Sequence, residues 1–257
     1  MTDPWERRLR RAAHLEKEWP SASFLMPFLL DITRFQRLLS LEILSTKPAS
    51  FDPESILDWI PMIQGRLEES PTKRFRRLLF EWEELPRSER LLHLSAGWTD
   101  SSDPEEDSPW PLLARSFLEP LAAWHFRARP AEAQEQHGSC PACRHAPLVS
   151  ILREDRQAET VRRSLLCSLC SREWGFPRVV CPRCGEEQPE KLPRYTAQEI
   201  PWIRVEACDT CMTYLKAVDL TKNPDAEPVV DELGSTPLDI IAHERGYSKL
   251  APNFAGL

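Results

Sequence analysis

The sequence predicts an α+β protein, with an N-terminal α-helical bundle domain, two tandem four-cysteine modules of zinc-ribbon type and a C-terminal helical tail. Three observations predict it. In the first half, apolar residues recur at spacings of three and four behind Asp-Pro and Ser-Pro starts. All eight cysteines then fall in four Cys-x-x-Cys pairs within residues 139–220. Beyond residue 228 an apolar, helix-like segment returns.

Asp3-Pro4 with Glu6 reads as an N-cap, a first-turn proline and a carboxylate near the positive helix end. A helix over about 4–18 follows, ending before Pro20. Residues 21–46 carry Phe28, Ile32, Phe35, Leu39 and Ile43 on one face, with Pro27 in the first turns. Asp52-Pro53 starts a third helix with Ile56, Ile60 and Ile63 on one side and Pro61 as a kink or break. Ser70-Pro71 starts a fourth, in which Phe75, Leu78, Leu79 and Trp82 face inward, and residues 86–98 form a further short helix. Residues 99–108, TDSSDPEEDS, have no apolar residue and read as a solvated acidic loop. Ser108-Pro109 opens a last helix to about Arg129, with Leu113, Phe117, Leu121 and Trp124 inward, and residues 130–138 make a polar connection. Residues 1–130 are therefore expected to be the helical domain.

The cysteine pairs are Cys140/Cys143, Cys167/Cys170, Cys181/Cys184 and Cys208/Cys211, separated by 23, 10 and 23 residues. A shift of 41 residues superposes the first two pairs on the last two, and both copies open with Cys-Pro-x-Cys. Such a period marks one supersecondary unit used twice. Two modules are expected, 139–180 and 181–220, each closing a four-cysteine metal site. Pairing of 167/170 with 181/184 is the alternative, and the repeat favours pairing within each copy. A tight turn with cysteine at i and i+3 points both sulfurs one way, and two such turns complete a tetrahedron of thiolates suited to zinc or iron. Disulfides need an oxidising compartment, for which the chain shows no signal. Gly185 after Cys184 can take positive φ, whereas Arg144 after Cys143 makes the first knuckle less typical. Strands are expected at 148–152, 164–166, 178–180, 202–207 and 214–218. The modules carry few apolar residues, so metal is expected to supply most of their stability, and its removal to unfold 139–220 while the helical domain stands.

The net charge of −7, with 12 Lys/Arg against 11 Asp/Glu over 139–220, argues against a general nucleic-acid or membrane-surface binder. The longest apolar run, 24–30, is broken by Pro27 and too short to span a bilayer, so no membrane insertion is expected. No apolar stretch follows the charged N-terminus, which points to a cytoplasmic protein. His125 reads as a packed histidine and His145 as a surface one. No P-loop, dinucleotide fingerprint, nucleophile elbow or defensible acid–base pair is present, so the chain reads as a non-enzyme. A thioredoxin-like redox role needs a single pair in a βαβ setting and does not fit four repeated pairs. In the tail (221–257), Leu233, Leu238, Ile240 and Ile241 are apolar, Ser235-Thr236-Pro237 starts a helix and Gly246 caps one; the tail is expected to pack on the rest.

Residues 162–186, RRSLLCSLCSREWGFPRVVCPRCGE, resemble the formate dehydrogenase accessory protein family (FdhE) through Cys167, Ser168, Cys170, Glu173, Trp174, Arg178, Cys181 and Cys184. The stretches 140–150, 117–124 and 231–253 are similar to further motifs of that family in the same order, with Arg144-His145 standing where the family usually has Gly-Ser. The resemblance implies a helical fold followed by two rubredoxin-like modules, with iron favoured and zinc possible as the two bound metal ions. It implies a cytoplasmic maturation factor that binds the catalytic subunit of formate dehydrogenase before that subunit is exported, with no nucleic acid as partner and a homo-oligomer possible. The corner Glu173–Trp174 is a candidate partner contact. The competing readings are a nucleic-acid-binding zinc ribbon, which wants a basic face, and a rubredoxin-like electron carrier.

Overall fold

The computed structural model describes residues 3–19, 23–67, 72–99, 108–128, 138–155 and 157–253. Six helices come first: α1 (Pro4–Glu18), α2 (Met26–Thr46), α3 (Glu54–Gln64), α4 (Lys73–Glu84), α5 (Arg87–Thr99) and α6 (Trp110–Phe126). Local chemistry sets their starts. The Asp3 side chain accepts from the Trp5 N–H, and Thr72 caps α4 by accepting from the Phe75 N–H. Proline lies in the first turn of α1, α2 and α6. Pro61 sits inside α3 without ending it; the helix runs on to Gln64. Ser70-Pro71, the acidic stretch 100–107 and the connection 129–137 lie outside the described residues.

The helical core unites Ile32, Phe35, Leu39 and Ile43 of α2 with Ile56, Ile60 and Ile63 of α3, Phe75, Leu79 and Trp82 of α4, and Leu113, Phe117 and Leu121 of α6. Phe28, Leu78 and Trp124 pack at its rim, half-buried. His125 is exposed rather than packed, because it lies on the outward side of α6 next to the buried Phe126. Among the described residues no helix is long and apolar enough to cross a membrane.

The second half is one seven-stranded sheet in the order β3-β2-β1-β6-β5-β4, with β7 against β6. The strands are β1 (Pro147–Asp155), β2 (Thr160–Cys167), β3 (Glu173–Gly175), β4 (Arg194–Thr196), β5 (Ile203–Cys208), β6 (Thr213–Asp219) and β7 (Ser248–Lys249). The 41-residue repeat maps β2 and β3 onto β5 and β6 in the same register: Leu165 faces Trp174 as Glu206 faces Leu215. The two antiparallel meanders join through parallel pairing of β1 with β6, from Val149↔Lys216 to Leu152↔Asp219. The strand expected at 178–180 is absent, and β3 takes its place at 173–175. Pro177 brings no N–H to a ladder, and the buried Arg163 guanidinium takes the carbonyls of Pro177 and Val180 at 2.9 and 3.1 Å.

Two helices follow, α7 (Pro228–Gly234), which the sequence pattern did not suggest, and α8 (Thr236–Glu244). They cover one sheet face, where Val229, Leu238 and Ala242 meet Val149, Ile151, Val205 and Tyr214. Ile240 points to solvent, 51% exposed. The tail thus packs on the sheet, and α7 also packs on α1 and α2 through Val230 and Leu233.

Buried ion pairs fasten these layers. Arg11 of α1 grips Asp231 of α7 with two hydrogen bonds of 2.8 and 2.6 Å. Asp231 also accepts from the Trp202 indole at 3.0 Å and the Glu227 N–H at 2.8 Å. At the β1/β6 joint, fully buried Lys216 lies 3.0 Å from Glu232 and 2.6 Å from Asp239, with Lys249 closing the cluster. Removing one partner of such a pair strands a charge in a low-dielectric setting. Asp231→Ala is therefore expected to lower the unfolding free energy by about 3–5 kcal/mol, read as a shift of the urea midpoint. Breaking the solvent-exposed Arg77–Glu81 pair by Arg77→Ala is expected to leave that midpoint in place.

Candidate metal centres

Each Cys-x-x-Cys pair forms a tight turn whose next residue is left-handed: Arg144 at φ 70°, Ser171 at 54°, Gly185 at 77° and Met212 at 53°. That twist lets the N–H of Arg144 reach the Cys140 carbonyl, and the N–H of Gly185 the Cys181 carbonyl, each at 3.0 Å. A second bond closes the turn, from Cys140 N–H to the His145 carbonyl (2.8 Å) and, one repeat later, from Cys181 N–H to the Glu186 carbonyl (2.9 Å). The first knuckle is therefore not atypical in shape. Arg144 adopts the backbone that glycine supplies in the second copy, and bears the steric cost of a Cβ there, about 1–2 kcal/mol.

The structure brings the sulfurs together within each repeat copy: Cys140, Cys143, Cys167 and Cys170 in one group, and Cys181, Cys184, Cys208 and Cys211 in the other, all ligand atoms of a group within 4.8 Å. Cys140 and Cys170 are 3.6 Å apart, and Cys143 and Cys167 3.3 Å. In the second group, Cys181–Cys211 and Cys184–Cys208 measure 3.7 and 3.6 Å. A metal with about 2.3 Å bonds to four tetrahedral thiolates sets its sulfurs about 3.8 Å apart. The donor sets therefore fit one tetrahedral ion each. Backbone N–H groups of Leu169, Cys170 and Arg183 approach the sulfurs at 3.4 Å, as donors to thiolate do.

Four thiols in this space cannot all ionise unaided. Burial, reinforced by hydrogen bonds shared with Cys140 and Cys143, pushes the Cys167 thiol well up, while hydrogen bonds from Cys140 and then Cys167 pull Cys143 down. A divalent cation at the centre removes the conflict by compensating the charge the cluster resists.

The two groups differ in setting. All four cysteines of the first are buried, and they belong to the same apolar cluster as α2–α6, together with Ala142 and Leu169. In the second, Cys184 is exposed and Cys211 half-buried, with Val179 and Met212 exposed nearby in the sequence. For the first group, loss of the ion is now expected to reach the helical domain as well, in place of leaving it standing. Its ligands are core residues of the helical bundle, and the sheet buries more apolar surface than the sequence suggested. His145 is likewise not a surface residue: it is buried against the Trp98 ring and its Nδ1 lies 3.2 Å from the Cys143 carbonyl. Gly138 binds the copies together, since a Cβ there would fall 1.6 Å from the Pro182 carbonyl oxygen in the third knuckle.

Glu173 and Trp174 lie on the edge strand β3. Glu173 pairs with Arg153 at 3.1 Å and accepts from Ser164 at 2.5 Å. Trp174 is a half-buried wedge between the helical core and the small cluster of Leu165, Phe176 and Leu215. Sequence reasoning missed Arg8, Glu119 and Ser171, which support the second knuckle. Arg8 bonds Glu119 at 2.7 Å and Ser171 at 3.0 Å, and Ser171 donates to Glu119 at 2.7 Å. Partners so far apart in sequence leave no local signal.

Comparison with known proteins gives a consistent picture. Residues 139–178 match the FdhE central domain and residues 179–255 the FdhE C-terminal domain, so each match contains two of the cysteine pairs. A protein FdhE homolog of Aquifex aeolicus is 24% identical over 96% of this chain and 94% of its own length. A protein FdhE homolog of Haemophilus ducreyi is 35% identical, over 48% of this chain and 39% of its own length, so the aligned part spans under half of that relative. The crystal structure of the FdhE protein from Pseudomonas aeruginosa shares the fold, with a TM-score of 0.78 at 22% identity over 98% of this chain and 95% of that one.

Two measurements check the centres. Metal analysis is expected to find one ion per cysteine group, and a chelator titration to release the second-group ion first because its ligands reach solvent. Simultaneous release would contradict the asymmetry. Gly185→Ala should cost about 1–2 kcal/mol of stability, whereas Arg144→Gly should cost nothing; an equal loss in both would remove the left-handed turn as the reason.

Proposed function

We propose that this chain is a member of the FdhE family and an accessory factor in the maturation of formate dehydrogenase. The observation that carries the reading is the contiguous match of 139–255 to the two FdhE domains, with a complete cysteine tetrad in each matched half of the sheet. In this reading the chain works in the cytoplasm as a non-enzyme, holding the catalytic subunit of formate dehydrogenase before its export. Cys140, Cys143, Cys167 and Cys170 hold one ion, and Cys181, Cys184, Cys208 and Cys211 the other. Iron and zinc both suit a tetrathiolate.

The geometry supports a division of labour. The first ion, deep in the shared core, fixes the relation of bundle to sheet. The second stands at the surface beside apolar side chains, where a partner can reach it. Glu173, on the edge strand, is the second contact candidate. Its pair with Arg153 is partly exposed and worth at most about 1 kcal/mol, so it can be given up to a partner. Trp174 is the poorer probe, because its ring also fills space between two apolar clusters.

The test is oxygen-free affinity purification of the tagged protein from its host, with mass spectrometry of what accompanies it. Enrichment of a formate dehydrogenase catalytic subunit is expected, lost in Cys181→Ser/Cys184→Ser and weakened in Glu173→Ala at unchanged metal content. Recovery of nucleic acid in its place would overturn the reading in favour of a nucleic-acid-binding ribbon.

A further inference from the structure

A cleft of about 700 Å³ opens between α1, the outer strands of the first meander and the loop leading to α7. In a protein of net charge −7 its lining is locally basic: five arginines and His14 against three carboxylates. The charges are not all committed. Arg11 is neutralised by Asp231 behind it, and Arg153 shares its charge with Glu173. Arg7 and Arg10 are exposed, and among the described residues their side chains make no ion pair. They sit at i and i+3 on α1, with His14 four residues further along the same helix, so the three line one wall over about 10 Å of helix axis.

The cleft also has a buried donor to spare. Arg8 is 4% exposed, and its Nε has no hydrogen-bond partner; a carboxylate oxygen of Glu227 is 3.8 Å away. Burial raises the Glu227 carboxyl above its ordinary range, which weakens it as a counter-charge. The rest of the lining carries apolar surface, from half-buried Leu220 and Pro228 and exposed Pro224. The volume lies within the range of small-molecule sites. Guanidinium forks match phosphate oxygens bidentately, and an apolar floor suits a flat ring. The three carboxylates in the lining disfavour a long polyacidic chain.

We propose that this cleft binds a nucleoside phosphate, its phosphates on Arg7, Arg10 and the Arg8 Nε–H and its base against Leu220, Pro224 and Pro228. The site is separate from both cysteine groups, and the proposal is independent of the maturation reading. It nonetheless communicates with the first group, because Ser171, which lines the cleft and bonds Arg8, directly follows Cys170.

The test is calorimetric titration of the metal-loaded full chain with ADP, inorganic pyrophosphate and adenosine as probes. ADP is expected to bind more tightly than either fragment, with affinity falling as salt rises. Arg7→Ala/Arg10→Ala should weaken ADP binding at least about tenfold, in line with loss of charge-assisted hydrogen bonds. Circular dichroism and metal content should remain unchanged, since neither side chain holds another residue. Absence of ADP binding at millimolar concentration, equal affinity in the double variant, or pyrophosphate binding as tightly as ADP would each overturn the proposal. Binding of a polyglutamate peptide without ADP would overturn it too, assigning the cleft to an acidic protein segment.

Discussion

Four thiolates cannot share a space of less than 5 Å without a cation, and in the first centre that space lies inside the apolar core of the helical bundle. The rest of the architecture depends on that coincidence. β1 starts just after the first knuckle, β2 ends on Cys167, and Leu169 between the paired cysteines is fully buried among bundle side chains. The metal is thus expected to act as a structural member of two layers at once. The second centre repeats the local geometry at the far side of the sheet without that cover. The same 41-residue unit therefore serves two ends: one copy is enclosed by helices, and the other stays open.

Charge pairs do for the remaining layers what a metal is expected to do at the first knuckles. Arg8 joins α1 to α6 and to the turn after Cys170, Arg11 joins α1 to α7, and Lys216 with Lys249 joins the sheet to α7 and α8. Each is buried; Asp231 has both carboxylate oxygens engaged, whereas the Arg8 Nε is left without a partner. Such pairs add little over apolar packing but penalise any misplacement of the elements they join. They also explain the cleft. α1 commits its inward arginines to these pairs, while Arg7 and Arg10 on its outer turns are left facing an open space beside the sheet.

Much of this was readable from residue order, because it rests on local rules. Ile32, Phe35, Leu39 and Ile43 declare a buried face by spacing alone, and all four are core. The cysteine pairs declare their grouping by the repeat. What escaped depends on tertiary partners. α7, only seven residues long, is held by Asp231 receiving Arg11 from the opposite end of the chain. The third strand lies at 173–175 and not at 178–180 because Arg163, on β2 and well upstream in sequence, claims the carbonyls of Pro177 and Val180. His145 reads as polar and exposed beside Arg144, yet Trp98 of α5 covers it. The fusion of the two modules by β1 and β6 is likewise invisible to a repeat, which shows what is duplicated but not how the copies meet.

The central claim is that the first centre belongs to the helical core and the second does not. Hydrogen exchange read by mass spectrometry on Cys143→Ser/Cys170→Ser and Cys184→Ser/Cys211→Ser variants tests it most directly. Loss of the first centre is expected to strip protection from α2 and α6 as well as from β1 and β2, and loss of the second to leave α2 and α6 as protected as in the intact protein. Equal protection of α2 and α6 in both variants would contradict the account.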